Sequence, residues 1–560
     1  MFVRVKSTPN SPRKSVQIVQ SVRKADKVSQ KIVRYVGVAM DDDELEKLKM
    51  LAESIKIKLE AAEQELLFSP EALAKSNKKR ESQKGKKGKE TEEDYKVNLK
   101  DIEEQQRVVS GIHDIYGKLF DESGYARVIP KPARHKATVQ LFKDIVLARI
   151  ANPKSKMATV DMLEENYGIT LNLERVYQMM DKLDDKAIER LNNISYGNTA
   201  GLFGQKINLV LFDCTTLYFE SFKEDEFKRH GYSKDLKFNQ PQVLLALMVT
   251  REGLPLGYEA FAGDTYEGHT IIPAIKKLKS KHNIDKVIIV ADAAMFNKDN
   301  IEALESMESE KYEYVIGSRI KSLPKALKDK ILNHGNYTEI CEEYKIAQFD
   351  YKGRRLIVSY SEDRARKDAK DRDKAIERIR KKLKKVKNLK EYLSNYGYKK
   401  YIKVQGESKV ELDVVKIQKD REWDGLHGTI TNSMELSNEE VVAQYHNLWQ
   451  VENAFRVTKH DLRVRPIFHW KPRRVKAHLA ISFAAYSLVK HLEYRVKLQY
   501  KKISPEKIRR MLINVQTSIL YNKKKKIRYG LPSKMTTDAR KIYDILKIRR
   551  YCTPYIIKKM

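Results

Sequence analysis

Apolar residues in the middle of the chain alternate between continuous runs and helical spacing. Three continuous runs have the length of strands, at 207–212, 242–250 and 256–262, and the turn Arg251-Glu252-Gly253 predicts a hairpin between the last two. The segments that follow predict a helix, a strand, a second helix and a second strand, at 270–281, 285–291, 298–307 and 312–317. The predicted order is therefore β-β-β-α-β-α-β.

Three antiparallel strands followed by right-handed crossovers form the topology of a ribonuclease H-like domain. The expected fold class is α/β, with a ribonuclease H-like mixed sheet that is interrupted by a strand-rich α+β insertion domain. Within that insertion the pattern predicts two strands, a long charged helix and two more strands, at 344–350, 354–359, 363–393, 400–404 and 410–415. A helix is expected after it at 439–460, and helical spacing continues to the basic C-terminus.

The N-terminal part of the chain begins with a basic segment. Residues 1–34 are rich in Lys and Arg, and the alternation of apolar and polar residues at 16–36 predicts a basic β-hairpin. A helix is expected from 41 to 65, followed by a charged low-complexity linker at 75–93.

Helical spacing from 138 to 193 is interrupted at Gly168. The helices on either side of this glycine could form a DNA-binding helix-turn-helix, whose second helix would present Arg175, Gln178 and Lys182 to the bases. An ordinary layer of packed helices predicts the same pattern, because Gly-containing turns between helices are common. Both interpretations stay open at this point.

Composition adds a polyanionic partner to this picture. The 560 residues include 110 Lys and Arg against 76 Asp and Glu, a formal net charge of +34. Each phosphate that binds Lys or Arg releases condensed counterions, so this surplus favours DNA or RNA as the partner. No apolar run reaches the ~20 residues of a transmembrane helix, and the three cysteines cannot build a disulfide framework. We therefore expect a cytoplasmic, nucleoid-associated protein that uses neither a membrane nor a small-molecule substrate.

Changes in composition and spacing divide the chain into several expected regions. The first three are a basic β-hairpin plus helix (1–74), a charged linker (75–100) and a helical region (101–200). The ribonuclease H-like domain follows in two parts (201–320 and 438–495), which are separated by the insertion (321–437). A basic helical C-terminal region (496–560) ends the sequence.

Three acidic residues are candidates for one metal site. Asp213 and Asp292 each follow an apolar strand, where open α/β sheets place reactive groups. Glu452 lies beside an apolar stripe on the predicted helix and begins a row of charged residues on one helix face, followed by Arg456, Lys459 and Arg463. Hard divalent cations take oxygen ligands from several elements, so the three carboxylates suit them. Simpler explanations are a turn cap for each aspartate and a surface ion pair for Glu452.

The spacing around Glu452 resembles the Y-x2-R-x3-E-x6-K signature of one large branch of bacterial insertion-sequence DDE transposases. Tyr445, Glu452 and Lys459 match this signature, and Leu448 replaces its arginine. Because Leu448 lies on the apolar stripe, the phosphate contact of the signature arginine would pass to Arg456 or Arg463. Other segments are similar to blocks of the family in the family's order, at 8–15, 213–221, 231–235, 253–257, 263–270, 290–294 and 465–470.

The resemblance implies Mg²⁺-dependent DNA strand cleavage and strand transfer. Asp213, Asp292 and Glu452 would be the catalytic residues and the ligands of two Mg²⁺ ions, for which Mn²⁺ is a substitute. The implied partners are the terminal inverted repeats of the element and target DNA, held by a homodimer that synapses two ends. The implied DNA contacts come from the signature helix and the residues just after it: Tyr445, Trp449, Arg456, Lys459 and Arg463.

Two other functions stay open from the sequence. A sequence-specific DNA-binding protein without catalysis would be expected to lack one of the acids, and all three are present. A ribonuclease H-like nuclease would cut DNA without joining it. The large insertion and the basic N-terminal segment favour the transposase, because a simple nuclease has no need to hold specific DNA ends.

Overall fold

The chain divides into two compact units, residues 1–97 and 98–560. The first unit contains an antiparallel sheet with the strand order β1-β2-β3, formed by β1 (Phe2–Ser7), β2 (Lys14–Lys24) and β3 (Lys27–Ala39). This computed structural model describes single residues between 42 and 56 and the ranges 2–7, 14–24, 27–39, 92–204, 207–220, 222–232, 239–282, 287–292, 298–306, 312–383, 401–405 and 409–557.

The predicted basic hairpin is confirmed as β2 and β3, and β1 adds a third strand. Val16 and Ile18 on β2 are fully buried, and they pack in one cluster with Leu45 and Ala52. The described residues between 42 and 56 are helical, as predicted. The linker predicted at 75–93 lies outside the described residues as far as position 91.

The second unit begins with one strand and a group of helices. Ser155, Asn172 and Asp184 each accept a backbone N–H with the side chain and so start a helix, which is the usual role of these residue types. The helical prediction for 101–200 is confirmed except at its first strand. The elements are β4 (Ile102–Val109), α1 (Gly111–Glu122), α2 (Lys136–Ala151), α3 (Lys156–Tyr167), α4 (Leu173–Asp181) and α5 (Asp185–Leu202).

The predicted ribonuclease H-like sheet is confirmed. Its strands lie in the order β7-β6-β5-β8-β9, with β5, β6 and β7 antiparallel and with β8 parallel to both β5 and β9. Helices connect the parallel strands, as the crossover rule requires. The elements are β5 (Leu209–Tyr218), β6 (Gln242–Val249), β7 (Pro255–Ala262), α6 (Ile271–His282), β8 (Val287–Ala291), α7 (Lys298–Glu305) and β9 (Tyr312–Ser318).

The insertion extends this sheet. Strand β15 pairs with β9, β12 pairs with β15, and β11 and β10 follow, so that the sheet reaches nine strands. The predicted strand pairs are confirmed, and so is the charged helix as far as residue 383; its predicted continuation to 393 lies outside the described residues. The boundaries 321–437 stay a prediction. The elements are α8 (Lys325–Leu332), β10 (Thr338–Cys341), β11 (Tyr344–Tyr351), β12 (Arg354–Ser361), α9 (Glu362–Leu383), β13 (Ile402–Gln405), β14 (Lys409–Leu412), α10 (Val414–Arg421) and β15 (Leu426–Thr431).

The prediction of a helical C-terminal region was wrong in part. Three strands lie there, and they form a sheet with β4 in the order β18-β17-β16-β4. The lysine run 523–526 makes the turn between β16 and β17. Pairing between β16 and β4 joins segments far apart in sequence, and local spacing does not show such pairing. The elements are α11 (Asn438–His446), α12 (Trp449–Arg456), α13 (Pro472–Gln499), α14 (Pro505–Ile513), β16 (Gln516–Asn522), β17 (Ile527–Pro532), α15 (Thr537–Ile545) and β18 (Tyr555–Ile557).

Helix α13 forms the centre of the larger hydrophobic core. Its residues between 475 and 496 are buried on nearly all sides. They lie in one cluster with residues of α1, α2 and α4 and with the sheet face that carries Leu211 and Val290. In the part of the chain that the structure describes, no helix is long and apolar enough to cross a membrane.

Burial of His491 on α13 predicts a pH effect on stability. Its ring Nε2 lies 3.3 Å from Thr199 Oγ1, and burial, with a smaller effect from Arg495, lowers its pKa to about 4. Between pH 6.5 and 4, His491 therefore binds a proton in the unfolded chain but not in the native protein. The free energy of unfolding decreases as pH falls for this reason. We expect His491→Gln to remove up to about 1.4 kcal/mol per pH unit of this slope.

Denaturant unfolding at several pH values between 6.5 and 4 measures this effect. The exposed His460 provides the matched variant, His460→Gln, which is expected to keep the wild-type slope. A wild-type slope in His491→Gln would contradict the prediction.

Candidate active site

Asp213 and Asp292 lie at the same level of two neighbouring strands. Leu211 on β5 pairs with Val290 on β8, and each aspartate stands two residues further along its own chain. Adjacent strands run ~4.8 Å apart, so this register places the two aspartates side by side. Asp292 directly follows β8, as predicted. Asp213 was predicted to end its strand and instead lies within β5, because β5 continues to Tyr218 along β6.

Both aspartates belong to the face of the sheet that α12 and α13 cover. Leu211 and Val290 pack in the cluster that contains α12 and α13, whereas their neighbours Phe212 and Ala291 pack in the cluster on the other face. Side chains alternate along a strand, so the positions of Asp213 and Asp292 fall on the face of Leu211 and Val290.

Glu452 lies on α12, which packs on this same face. Val451 and Phe455 are buried in the cluster that holds Leu211, and Glu452 itself is exposed on the neighbouring side of the helix. The predicted apolar stripe is confirmed, because Leu448 and Leu462 are also buried.

Tyr445 is hydrogen-bonded to one of the acids and lies near another. Its hydroxyl donates to Asp292 Oδ1 at 3.4 Å. Burial is the largest of several causes that raise the pKa of Tyr445, followed by the charge of Asp292, with a smaller contribution from Glu452. The phenol therefore stays protonated and lies within electrostatic range of both carboxylates. The sequence did not indicate this contact, because Tyr445 and Asp292 lie in distant segments of the chain.

The three carboxylates suit hard cations by their chemistry, and their side chains are not gathered around one point. Asp213 Oδ1 accepts the backbone N–H of Cys214 at 2.7 Å, and Asp292 accepts from Tyr445. Among the described residues, no group of three or more His, Cys, Asp and Glu is placed to hold a metal ion. Elements that adjoin on one face supply all-oxygen donors, which is the donor set of Mg²⁺ and Mn²⁺ sites.

The helix predicted at 439–460 is two helices. Helix α11 starts with a capping box between Ser437 and Glu440, and it ends at His446. The N–H of Leu448 bonds to the carbonyl of Tyr445, a tightened turn that separates α11 from α12. A π-helical turn follows α12 and ends at Asp461.

The predicted row of cations is only partly on a helix. Arg456 is exposed and donates to Asn453 Oδ1 at 2.8 Å. Lys459 lies in the π-helical turn. Arg463 lies beyond that turn with φ 43°, so it is exposed but does not continue the helix face.

Glu452 also borders a basic groove. This groove has a volume of ≈ 680 Å³. Trp449, half exposed, lines it beside Glu452. The remaining charged lining is mostly basic: Arg456, Lys490, Lys497 and Lys502 against Glu252 and Glu493.

Histidines that the sequence did not single out lie at the site. The rings of His427 on β15 and Tyr445 are 4.8 Å apart. Burial, together with the positive charge of Arg364 from the insertion, lowers the pKa of His427 to about 4, and the same causes lower the pKa of His446. The insertion therefore contributes a neutral histidine and an arginine beside the aspartates.

The helices of the possible helix-turn-helix are confirmed as α3 and α4. Gly168, with φ +67°, ends α3 in a left-handed conformation that favours glycine. Arg175, Gln178 and Lys182 are all exposed, and they line a groove of ≈ 770 Å³ between α4 and α2. Their role in reading DNA stays a prediction.

Comparison with known proteins agrees with this arrangement. Residues 204–488 match the family described as "Transposase DDE domain", and residues 2–65 match the "IS1634 family transposase, N-terminal domain". A search of curated proteins found no match.

A solved structure, "Mos1 transposase paired-end complex with left transposon end", is similar at 14% identity over 29% of this chain and 54% of that one. The chain thus spans about half the length of that protein, and a TM-score of 0.14 adds nothing to the fold argument. The Transposase DDE domain match covers half of the chain and contains both aspartates and Glu452. The N-terminal match is a similarity over residues 2–65 only. From the longer match, the chain belongs to the DDE transposase family.

Proposed function

We propose that this chain is the transposase of an insertion sequence, which binds the terminal inverted repeats of its element and cuts and joins DNA strands with Mg²⁺. The observation that carries the proposal is the placement of Asp213 and Asp292 at one level of one sheet face, with the helix of Glu452 packed on that face. Family membership gives this arrangement its chemical meaning.

Asp213, Asp292 and Glu452 would hold the metal. The chemistry that two bound Mg²⁺ or Mn²⁺ ions supply is activation of the attacking oxygen and stabilisation of the leaving oxygen in an in-line phosphodiester displacement. Tyr445 orients the Asp292 carboxylate through its hydrogen bond and keeps its own proton. His427 is neutral near pH 7 and can accept or donate a proton at its ring nitrogens.

The cations around Glu452 would bind the DNA backbone. Arg456 and the lysines of the basic groove present positive charge beside the acid, which suits a phosphodiester strand that runs past it. Lys459 and Arg463 would extend this contact, and Trp449 and Tyr445 would contact a base at the DNA end. A homodimer that synapses two ends at the nucleoid completes the proposal.

A cleavage assay tests the proposed function. Purified protein is incubated with Mg²⁺ and DNA that carries the inverted repeats flanking its own gene, with and without a target plasmid. We expect nicks at the repeat ends and, with target present, joined products. Cleavage without joining would support the nuclease, and binding without cleavage would support the non-catalytic DNA-binding protein; either result would contradict the proposal.

A further inference from the structure

The segment 463–471, here called the basic aromatic loop, follows the π-helical turn and is anchored at its first two residues. Arg149 donates to the carbonyl of Arg463 at 3.1 Å, and the ring Nε2 of His478 donates to the carbonyl of Val464 at 2.9 Å. The N–H of Val464 donates to the carbonyl of Thr458, and the side chain of Val464 is fully buried. The start of the loop is therefore fixed to the helical core.

Beyond this anchor the loop carries two large aromatic rings in solvent. Phe468 is 62% exposed and Trp470 is 70% exposed, although the neighbouring Ile467 is buried. Neither ring stacks on another ring or on a cation within the described part of the chain. Exposed apolar rings on an anchored backbone are unfavourable in water, and they are typical of surfaces that bind a partner.

The charge around the rings indicates the kind of partner. The segment 463–474 contains five Lys and Arg residues and a histidine, and it has no Asp or Glu. Asp181 on α4 pairs with Arg473 and Arg474. The segment itself therefore has a net positive charge, which favours a polyanion over an apolar protein surface.

A further cation lies beneath the loop. Arg149 is 5% exposed, and burial lowers its pKa to about 10, so its guanidinium stays charged near pH 7. Lys156 is also 5% exposed, and burial together with the charge of Arg149 lowers its pKa well below the usual range, so it adds little charge. The positive potential beneath the loop therefore comes from Arg149.

We propose that Phe468 and Trp470 form a stacking platform for unpaired DNA bases, with the surrounding cations on the phosphates of the same strand. The inference rests on the proposed function, since it takes DNA as the substrate. Aromatic side chains stack on the flat faces of bases, which are covered by neighbours inside a duplex and are free only where a base is unpaired. The platform therefore selects strands that have separated at a cut or melted end.

Binding to two DNA probes tests this platform. One probe is a fully paired duplex of the inverted-repeat end, and the other is the same duplex with two unpaired nucleotides at that end. We expect the wild type to bind the second probe more tightly. Phe468→Ala with Trp470→Ala should lose roughly tenfold in affinity per ring for the unpaired probe only. The aromatic replacements Phe468→Tyr and Trp470→Phe should restore it.

Controls make each outcome decisive. Tyr551→Ala removes a ring that is also 70% exposed, and it should leave both affinities unchanged. The single variant Trp470→Ala gives the answer if the double variant does not fold. Equal wild-type affinity for the two probes, equal losses on both, or a change of oligomeric state in place of a change in DNA affinity would overturn the inference. Failure to bind either probe would overturn the proposed function too, whereas cleavage without any preference would overturn the platform alone.

Discussion

Replacing Asp292 by asparagine is expected to reduce DNA cleavage by about a thousandfold or more, while binding to the inverted repeat stays within about twofold. A metal-held carboxylate supplies several kcal/mol of transition-state stabilisation, and each ~1.4 kcal/mol corresponds to a factor of ten in rate. The asparagine oxygen can still accept the hydrogen bond from Tyr445, so the fold around β8 should be kept. Single-turnover cleavage of an end-labelled repeat measures the rate.

Asp350 provides the matched control for this charge change. It is an exposed carboxylate on β11, and strands β12, β15 and β9 separate β11 from β8 in the sheet. Asp350→Asn should cleave at the wild-type rate. Cleavage by Asp292→Asn at a tenth of the wild-type rate or faster would remove Asp292 from the site.

The second large effect is expected for stability, at a buried ion pair in the insertion. Both terminal guanidinium nitrogens of Arg372 on α9 donate to the carboxylate of Asp424, just before β15. The two side chains are only 5% and 15% exposed. Arg372→Ala would leave the Asp424 carboxylate buried and unpaired, which should lower the free energy of unfolding by about 3–5 kcal/mol.

Denaturant unfolding measures this effect, and the control Arg366→Ala shows how much stability is lost when an exposed arginine of the same helix is removed. Arg366 is on the same helix and contacts Glu343, Glu362 and Asp363, but its side chain is 59% exposed. Exposed ion pairs contribute about 0–1 kcal/mol, so this variant should be nearly as stable as the wild type. Equal decreases in the free energy of unfolding for the two variants would contradict the prediction, because burial of the Arg372–Asp424 pair would then make no difference.

The central sheet could be predicted because each strand is encoded by its own apolar run. The order of β5, β6, β7, β8 and β9 follows from the hairpin turn at Gly253 and from the handedness of the crossovers. Pairings between distant segments could not be predicted. The contact of β16 with β4 and that of β15 with β9 depend on which free strand edge is nearest in space, and local spacing does not contain this information.

The sequence pointed to three acids for the candidate site, whose role stays a prediction, and it gave no sign of the residues around them. Strand ends and the spacing at Glu452 identified three carboxylates whose positions the sheet face brings onto adjoining elements. The roles of His427 and Arg364 depend on how the insertion folds back on the sheet, which no motif encodes. The break at Leu448 was also missed, because apolar spacing continues through a tightened turn as it does through a helix.

The most direct test of the shared acidic site compares cleavage at the inverted repeat by three variants in Mg²⁺. Asp213→Asn and Glu452→Gln remove two of the proposed ligands, and Glu252→Gln removes another acid of the groove that Glu452 lines. If Asp213 and Glu452 serve one centre with Asp292, the first two variants should cleave at background rate and bind the repeat normally, while Glu252→Gln cleaves like the wild type. Cleavage by Glu452→Gln within about tenfold of the wild-type rate would contradict the account.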